Sequence, residues 1–219
     1  MIIQTKFPIC KDSLDYTEPI GAINDDNSNE HYANEIEELF NRKVSYLALG
    51  CAGGSFIDLL CAKGHDAYGI EGTDHPLKQN RAAWKKHYNT RLFTCDLSKP
   101  FKVIDAPKFD VISNWEFMEH LPPESLLYIT LKMYSLLSVD GCVLCGISMQ
   151  ETPHHTSIFP EKVWLEELFG QVFHCFPYSL KHKYREDYYP GHQSFFVILK
   201  PKLDKVDFVN ESLKLLEKE

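Results

Sequence analysis

What most constrains this chain is a repeated alternation. A short apolar run is closed by a glycine or polar turn, and a stretch with helical apolar spacing follows. The pattern begins at Val44-Ser45-Tyr46-Leu47-Ala48-Leu49, which ends at Gly50 and reads as a strand. Residues 55–63 then carry Phe56, Leu59 and Leu60 at core spacing and stop at Gly64, a good helix terminator. Residues 66–71, 91–95, 109–114 and 141–149 read as further strands. Between them, 75–88 reads as a helix with Pro76 in its first turn, and 122–137 reads as another. Strands alternating with helices imply an α/β fold: a mostly parallel sheet with helices on both faces.

The pattern changes after a helix expected over 160–169. Residues 171–176 and 193–199 look like two strands joined by a polar, aromatic connection, so the seven-stranded sheet should end in an antiparallel hairpin. Upstream of the first strand, residues 30–41 read as a helix with Ile36, Leu39 and Phe40 on one face. The polar cluster ending at Asn29 is placed to cap it. Residues 1–29 carry turn formers and little periodicity, and stand as a separate N-terminal segment. Residues 30–200 form the main domain. The tail, 201–219, has the spacing of an amphipathic helix with Val206, Val209, Leu213 and Leu216 inward.

Composition narrows the functions. A chain of 219 residues with 44% hydrophobic and 25% charged residues suits one globular domain without staples. A formal charge of -8 disfavours nucleic acid, whose phosphates are met by Lys and Arg. No apolar run reaches the roughly 20 residues a membrane helix needs, and the first residues lack the basic-then-apolar order of a secretory signal. The seven cysteines read as buried thiols in a reducing, cytoplasmic setting. Cys142 and Cys145 form a CxxC, but three residues apart on a strand they face opposite ways, so no metal site is expected from them.

The candidate chemistry collects where strands end. Gly50-Cys51-Ala52-Gly53-Gly54 is a strand-to-helix turn that lets a ligand approach backbone and free N–H groups. Its spacing departs from the G-x-G-x-x-G of nicotinamide enzymes, which makes a dehydrogenase a distant reading. Glu71, with Gly72 after it, stands about 20 residues on, where an acid accepts hydrogen bonds from a ribose diol. Cys95-Asp96-Leu97 and Asn114-Trp115-Glu116 close two more strands. Singly, Glu71 could be a solvated carboxylate and Asp96 a turn cap. All four groups in register at the carboxyl ends of parallel strands describe one crevice.

These residues carry a family resemblance. Tyr-Leu-Ala-Leu-Gly-Cys-Ala-Gly-Gly (46–54), Tyr-Gly-Ile-Glu-Gly-Thr-Asp (68–74), Leu-Phe-Thr-Cys-Asp-Leu (92–97) and Phe-Asp-Val-Ile-Ser-Asn-Trp-Glu-Phe-Met-Glu-His-Leu (109–121) resemble the class I methyltransferases that use S-adenosylmethionine (SAM). The similarity is to the ubiquinone-biosynthesis branch. It implies a Rossmann-like sheet, with the first turn at the methionine part of SAM, Glu71 at the ribose and Asp96 with its neighbours at adenine. Two positions depart from the family pattern: Ala48, where an acid is usual, and Ala52, where glycine is usual.

A hydroxyl acceptor needs one proton removed, and the candidates after the strand ends are His155, His120 and Glu116. His155 is the favoured base. It reads equally as a loop residue capping the next helix, and His120 as one orienting the segment after it. The run His-His-Thr-Ser-Ile-Phe-Pro-Glu-Lys-Val-Trp, with Ser-Leu-Asp-Tyr and Asp-Asn-Ser-Asn near the N-terminus, resembles methyltransferases linked to surface-glycan synthesis. That resemblance implies O-methylation of a sugar or glycan. His154, Tyr184, Tyr188 and Tyr189 are then acceptor-side candidates, since aromatic faces with polar edges suit sugars. The hairpin connection and residues 1–29 would form a lid. Two other readings stay open: a small-molecule or lipid-quinone methyltransferase, and a SAM-binding domain that acts by interaction alone.

Overall fold

The apolar runs pair into a central sheet because most of them are buried on both faces, so only neighbouring strands can satisfy their backbone groups. A computed structural model describes residues 1–19, 28–182 and 194–218. The chain runs β1 (Ile2–Thr5), α1 (Leu14–Thr17), α2 (Glu30–Phe40), β2 (Ser45–Leu49), α3 (Ser55–Ala62), β3 (Asp66–Glu71), α4 (His75–Lys78), α5 (Trp84–His87), β4 (Leu92–Thr94), β5 (Phe101–Ile104), β6 (Phe109–Trp115), α6 (Leu126–Leu136), β7 (Leu137–Ser148), β8 (Phe173–Pro177), β9 (Ser194–Pro201) and α7 (Val206–Leu216). The sheet has seven strands in the order β4-β3-β2-β6-β7-β9-β8. The first five are parallel, while β9 runs antiparallel to both β7 and β8. This is the α/β sheet with a terminal antiparallel pair that the sequence pattern predicts.

Two apolar layers cover the sheet. On one face Tyr32, Ala33 and Ile36 of α2 pack with Phe56, Ile57 and Leu60 of α3 and with Trp84. On the other, α6 and α7 pack with Trp164 and Phe169 over Ile112, Val143 and Cys145. Cys142 belongs to the first layer and Cys145 to the second, so the CxxC points two ways as read. Strand order reverses at β2, which lies between β3 and β6. Such a switch point opens a crevice at the carboxyl ends of the strands.

Several elements differ from expectation. The single helix expected over 75–88 is two short ones, α4 and α5, separated by Asn80 and Ala82 at positive φ. Sequence spacing could not show why: Ala83 N–H and Trp84 Nε1–H are drawn to the carbonyls of Gly53 and Ala52, at 3.1 and 2.7 Å. Over 160–169 the helix is π-wound at Val163–Leu168. Residues 122–137 begin as a 3₁₀ turn, Pro123–Ser125, before α6. The strand expected at 141–149 is longer, with β7 starting at Leu137. Leu39, placed on the inner face of α2, is 49% exposed, and of the four inward positions in the tail only Val209 and Leu213 are buried. The N-terminal segment holds structure where none was expected, since β1 pairs antiparallel with β5 in a two-stranded sheet of its own.

Candidate active site

The glycine-rich turn between β2 and α3 is made of left-handed backbone. Gly50, Ala52 and Gly54 have φ of 73, 48 and 74°. Gly54 is required twice over: its φ suits glycine, and a Cβ there would lie 2.6 Å from the Leu92 side chain. Ala52 takes the same region at a cost, as an L-residue does. Glu71 at the end of β3 reaches across to this turn. One oxygen accepts the Ala52 N–H at 2.8 Å and the other the Thr73 N–H at 3.4 Å. Burial raises its pKa above the ordinary carboxylate value, against those amide hydrogen bonds. Trp84, from the broken helical region, buttresses the turn from behind through Ala52 O.

The other cofactor-side candidates divide. Cys51, Cys95 and Leu97 are buried in the core, so the neighbourhood they offer a ligand is backbone. Asp96 is also nearly buried, and its carboxylate accepts from Ser98 N–H at 2.9 Å and from Ser98 Oγ at 2.6 Å. Asn114 is fully buried and donates to Met133 Sδ at 3.2 Å, under α6 and away from the turn. Trp115 packs in the opposite layer, against Tyr32, Tyr178 and Phe196.

Residues 1–19 cross the ends of these strands. Phe7 O accepts from Asp96 N–H at 2.9 Å, and Cys10 N–H donates to Gly72 O at 2.8 Å. Burial and the neighbouring Asp96 carboxylate push the Cys10 thiol up to about 12. Further on, Tyr16 O accepts from His75 Nε2 at 2.7 Å. Between these anchors stands Asp15, whose two oxygens accept from two imidazoles: Oδ2 from His120 Nδ1 at 3.0 Å and Oδ1 from His154 Nδ1 at 2.9 Å.

His155 lies beside this group. Its ring meets that of His120 edge-on, with centroids 4.7 Å apart, and its Nδ1 donates to Gln150 O at 2.6 Å. The tautomer is thereby set, and Nε2 keeps a lone pair. Burial, with the nearby His120, holds the His155 pKa below its ordinary value. Burial works against the charged form of His120 too, but the Asp15 carboxylate outweighs it and holds that pKa above the ordinary value. For Asp15, burial is outweighed by its two imidazole partners, and its pKa lies below the ordinary value.

Glu119 completes the cluster. It is fully buried, one oxygen accepts Ser148 N–H at 2.7 Å, and the other has no hydrogen-bond partner among the described residues. Burial pushes its pKa up to about 7. Glu119, His120 and His155 each bring one ligand atom within 4.8 Å of the others. Such a set can pass a proton or hold a cation. Glu116 sits next to it with φ of 47°, its N–H bonded to Gly146 O. Backbone strain of this kind collects where a site fixes a side chain.

The structure therefore brings His120, His154, His155 and Glu116 to one end of the crevice and the Gly50–Gly54 turn with Glu71 to the other. Tyr184, Tyr188 and Tyr189 lie outside the described residues. Sequence reasoning missed Asp15, Glu119 and Trp84. The first two stand inside the quoted stretches Ser-Leu-Asp-Tyr and Trp-Glu-Phe-Met-Glu-His, but neither stretch reveals what its carboxylate meets.

Comparison with known proteins adds the family. No curated protein sequence matches significantly. Among solved structures, the fold is similar to a TehB-like SAM-dependent methyltransferase from Corynebacterium glutamicum, with 18% identity and a TM-score of 0.59 over 85% of this chain and 94% of that one. It is also similar to the N-methyltransferase NodS from Bradyrhizobium japonicum in complex with S-adenosyl-L-homocysteine (17%, 0.54, 85% and 97%). A third is 1,6-didemethyltoxoflavin-N1-methyltransferase from Burkholderia thailandensis (15%, 0.54, 84% and 82%). A family model described as a methyltransferase domain matches residues 25–183, well over half the chain. The chain belongs to the methyltransferase-domain family, on the class I SAM-dependent fold.

Proposed function

We propose that this protein transfers a methyl group from SAM to a hydroxyl, most suitably that of a sugar or glycan, with His155 as the base. The cofactor end fits SAM by the chemistry of its groups. The left-handed turn carries no side chain larger than a cysteine, and Glu71 presents a carboxylate suited to a ribose diol at the switch point. When bound, SAM supplies a methyl group already activated on a positively charged sulfur. The chain's own residues then have three tasks. The Gly50–Gly54 backbone and Glu71 hold the cofactor. The strand-end loops hold the acceptor in line. His155 Nε2 takes the acceptor's proton.

The observation that carries this reading is the fixed tautomer of His155, since a base held with its lone pair free serves a hydroxyl, which must lose a proton to react. A neutral amine can attack with its own lone pair and has less need of such a group. Two structural relatives are named as N-methyltransferases, which makes an amine the second reading. The surface-glycan resemblance favours the first. The lid role of residues 1–29 and the hairpin connection belongs to the same proposal; 20–27 and 183–193 lie outside the described residues, and the bonds of Phe7 and Cys10 to Asp96 and Gly72 support it. No helix among the described residues is long and apolar enough to cross a membrane.

Mass spectrometry of an acceptor panel incubated with the protein and SAM tests the proposal. One methyl added to a hydroxyl of a sugar is the expected outcome. Methylation confined to amines selects the second reading, and SAM binding with no transfer to any acceptor removes both.

A further inference from the structure

We infer that Asp15, supplied by a segment outside the matched domain, is a positioning residue for the acid–base group. It orients His120 and His154 at once. The inference rests on the hydroxyl-transfer reading for its catalytic consequence, but its geometry stands alone. Asp15 is 105 residues from His120 and 139 from His154, so only the folded chain brings them together. An ionised carboxylate accepts and does not donate, so each imidazole must offer Nδ1–H to it. When neutral, both rings are therefore held in one tautomer, with Nε2 turned from Asp15. His120 in turn stands edge-on to His155, whose own Nδ1–H is fixed by Gln150 O.

Asp15 is itself held from both sides. Ser13 Oγ accepts Asp15 N–H at 3.1 Å and donates to Asp15 Oδ2 at 3.2 Å. The segment before it is bonded at the ends of β3 and β4, through Gly72 and Asp96, and the residue after it is bonded to His75. The strap of residues 1–19 thus rests on the cofactor end of the crevice while its Asp15 carboxylate acts at the acceptor end. An imidazole in fixed orientation is worth more to proton transfer than a freely rotating one, since a general base works only within hydrogen-bond reach.

The chemistry predicts an order among substitutions. Asn offers one accepting oxygen and one donating NH₂, so Asp15→Asn can keep only one imidazole in the native tautomer. Glu keeps two acceptors on a longer stem. Turnover and SAM affinity of Asp15→Ala, Asp15→Asn and Asp15→Glu are to be measured with the full chain, beside the nitrogen NMR signals of its histidine rings. The expected result is a kcat lowered about tenfold or more in Asp15→Ala and Asp15→Asn, a part of the ~10²–10⁴ that acid–base catalysis supplies. SAM affinity should stay within about twofold, Asp15→Glu should recover part of kcat, and the ring signals of His120 and His154 should change in Asp15→Ala.

An Asp15→Ala protein with wild-type kcat overturns the inference. So does one whose SAM affinity falls as far as its kcat, since the strap would then act on the cofactor end. If the wild-type chain methylates no hydroxyl, the function reading fails, and the ring signals decide alone. Unchanged in Asp15→Ala, they overturn the orienting role, and shifted to the other tautomer they uphold it.

Discussion

The two ends of the crevice are built from different materials. The proposed cofactor end is mainly backbone: left-handed residues at 50, 52 and 54, an amide at Ala52, and one side chain, Glu71, lying across it. The proposed acceptor end is made of side chains, with Asp15, Glu119, His120, His154 and His155 drawn from three separated stretches. A backbone site is specified by local sequence, because a turn with those φ values needs small residues in order. A side-chain site is specified by the whole fold. Changes at the acceptor end should therefore alter turnover and spare cofactor binding, while changes at the cofactor end should do the reverse.

The largest expected effect sits at the acceptor end. His155→Ala should lower kcat by about 10²–10⁴, the usual worth of a general base, while calorimetry finds SAM affinity unchanged. A variant that turns over normally would remove the base from His155. The next effect belongs to the cofactor end. Glu71→Ala removes the carboxylate on the proposed ribose side and should weaken SAM binding about 10- to 100-fold, from the ~1.5–3 kcal/mol of a hydrogen bond to a charged group. Its kcat at saturating SAM should fall far less. Equal losses in both constants would mean that the two ends are coupled and the division is wrong.

The same division explains what the sequence disclosed. Seven strands, their order of appearance and the antiparallel end followed from apolar runs and turn residues, since strands buried on both faces must be apolar. The Gly50–Gly54 turn and Glu71 were legible because their spacing in the chain is their spacing at the switch point. Asp15 was not, because nothing local to Ser-Leu-Asp-Tyr shows a partner more than 100 residues away. The break between α4 and α5 was hidden for the same reason: the Ala83 amide and the Trp84 indole N–H go to the turn, and that tertiary demand overrides helical spacing. Asn114 shows the converse. Its position at a strand end is right for the crevice, but the two-residue alternation of β6 turns its side chain to Met133 instead.

A smaller effect sharpens the comparison through pH. His120 is held above its ordinary value of 6.5, so the stability it gains from Asp15 is complete below 6.5 and lost as pH rises through the raised value. Asp15 is held below 3.8, so its contribution is present above 3.8 and lost as pH falls through the lowered value. The strap should be held best between those ordinary values. Glu119, raised to about 7, ionises mostly above that range and so also favours the more acid side. Amide exchange across residues 13–17, corrected for intrinsic rates, should show several-fold stronger protection at about pH 6 than at about pH 9, from roughly 1 kcal/mol of pairing. The amides of residues 50–54 should show less change, because no imidazole holds them. Equal pH response at both ends would deny the strap its dependence on His120.

The smallest effect concerns Ala52. An L-residue at φ of 48° costs about 1–2 kcal/mol relative to ordinary backbone, and glycine does not bear this cost. Glycine also gains freedom in the unfolded chain, worth about 0.5–1 kcal/mol against it. Ala52→Gly should therefore stabilise the protein by about 1 kcal/mol or less, a rise in Tm of roughly 2–4 °C at most for a chain of this size. The Glu71 bond would survive, since it is made by the backbone amide and not by the methyl group. SAM affinity should change by less than about threefold, well below one hydrogen bond. Thermal unfolding and calorimetry on this one variant separate the two possibilities for the alanine. A lower Tm would show that its methyl group makes a contact the turn depends on. A raised Tm with unchanged binding would show that the cofactor end is a backbone device, for which the side chain at position 52 is a tolerated strain.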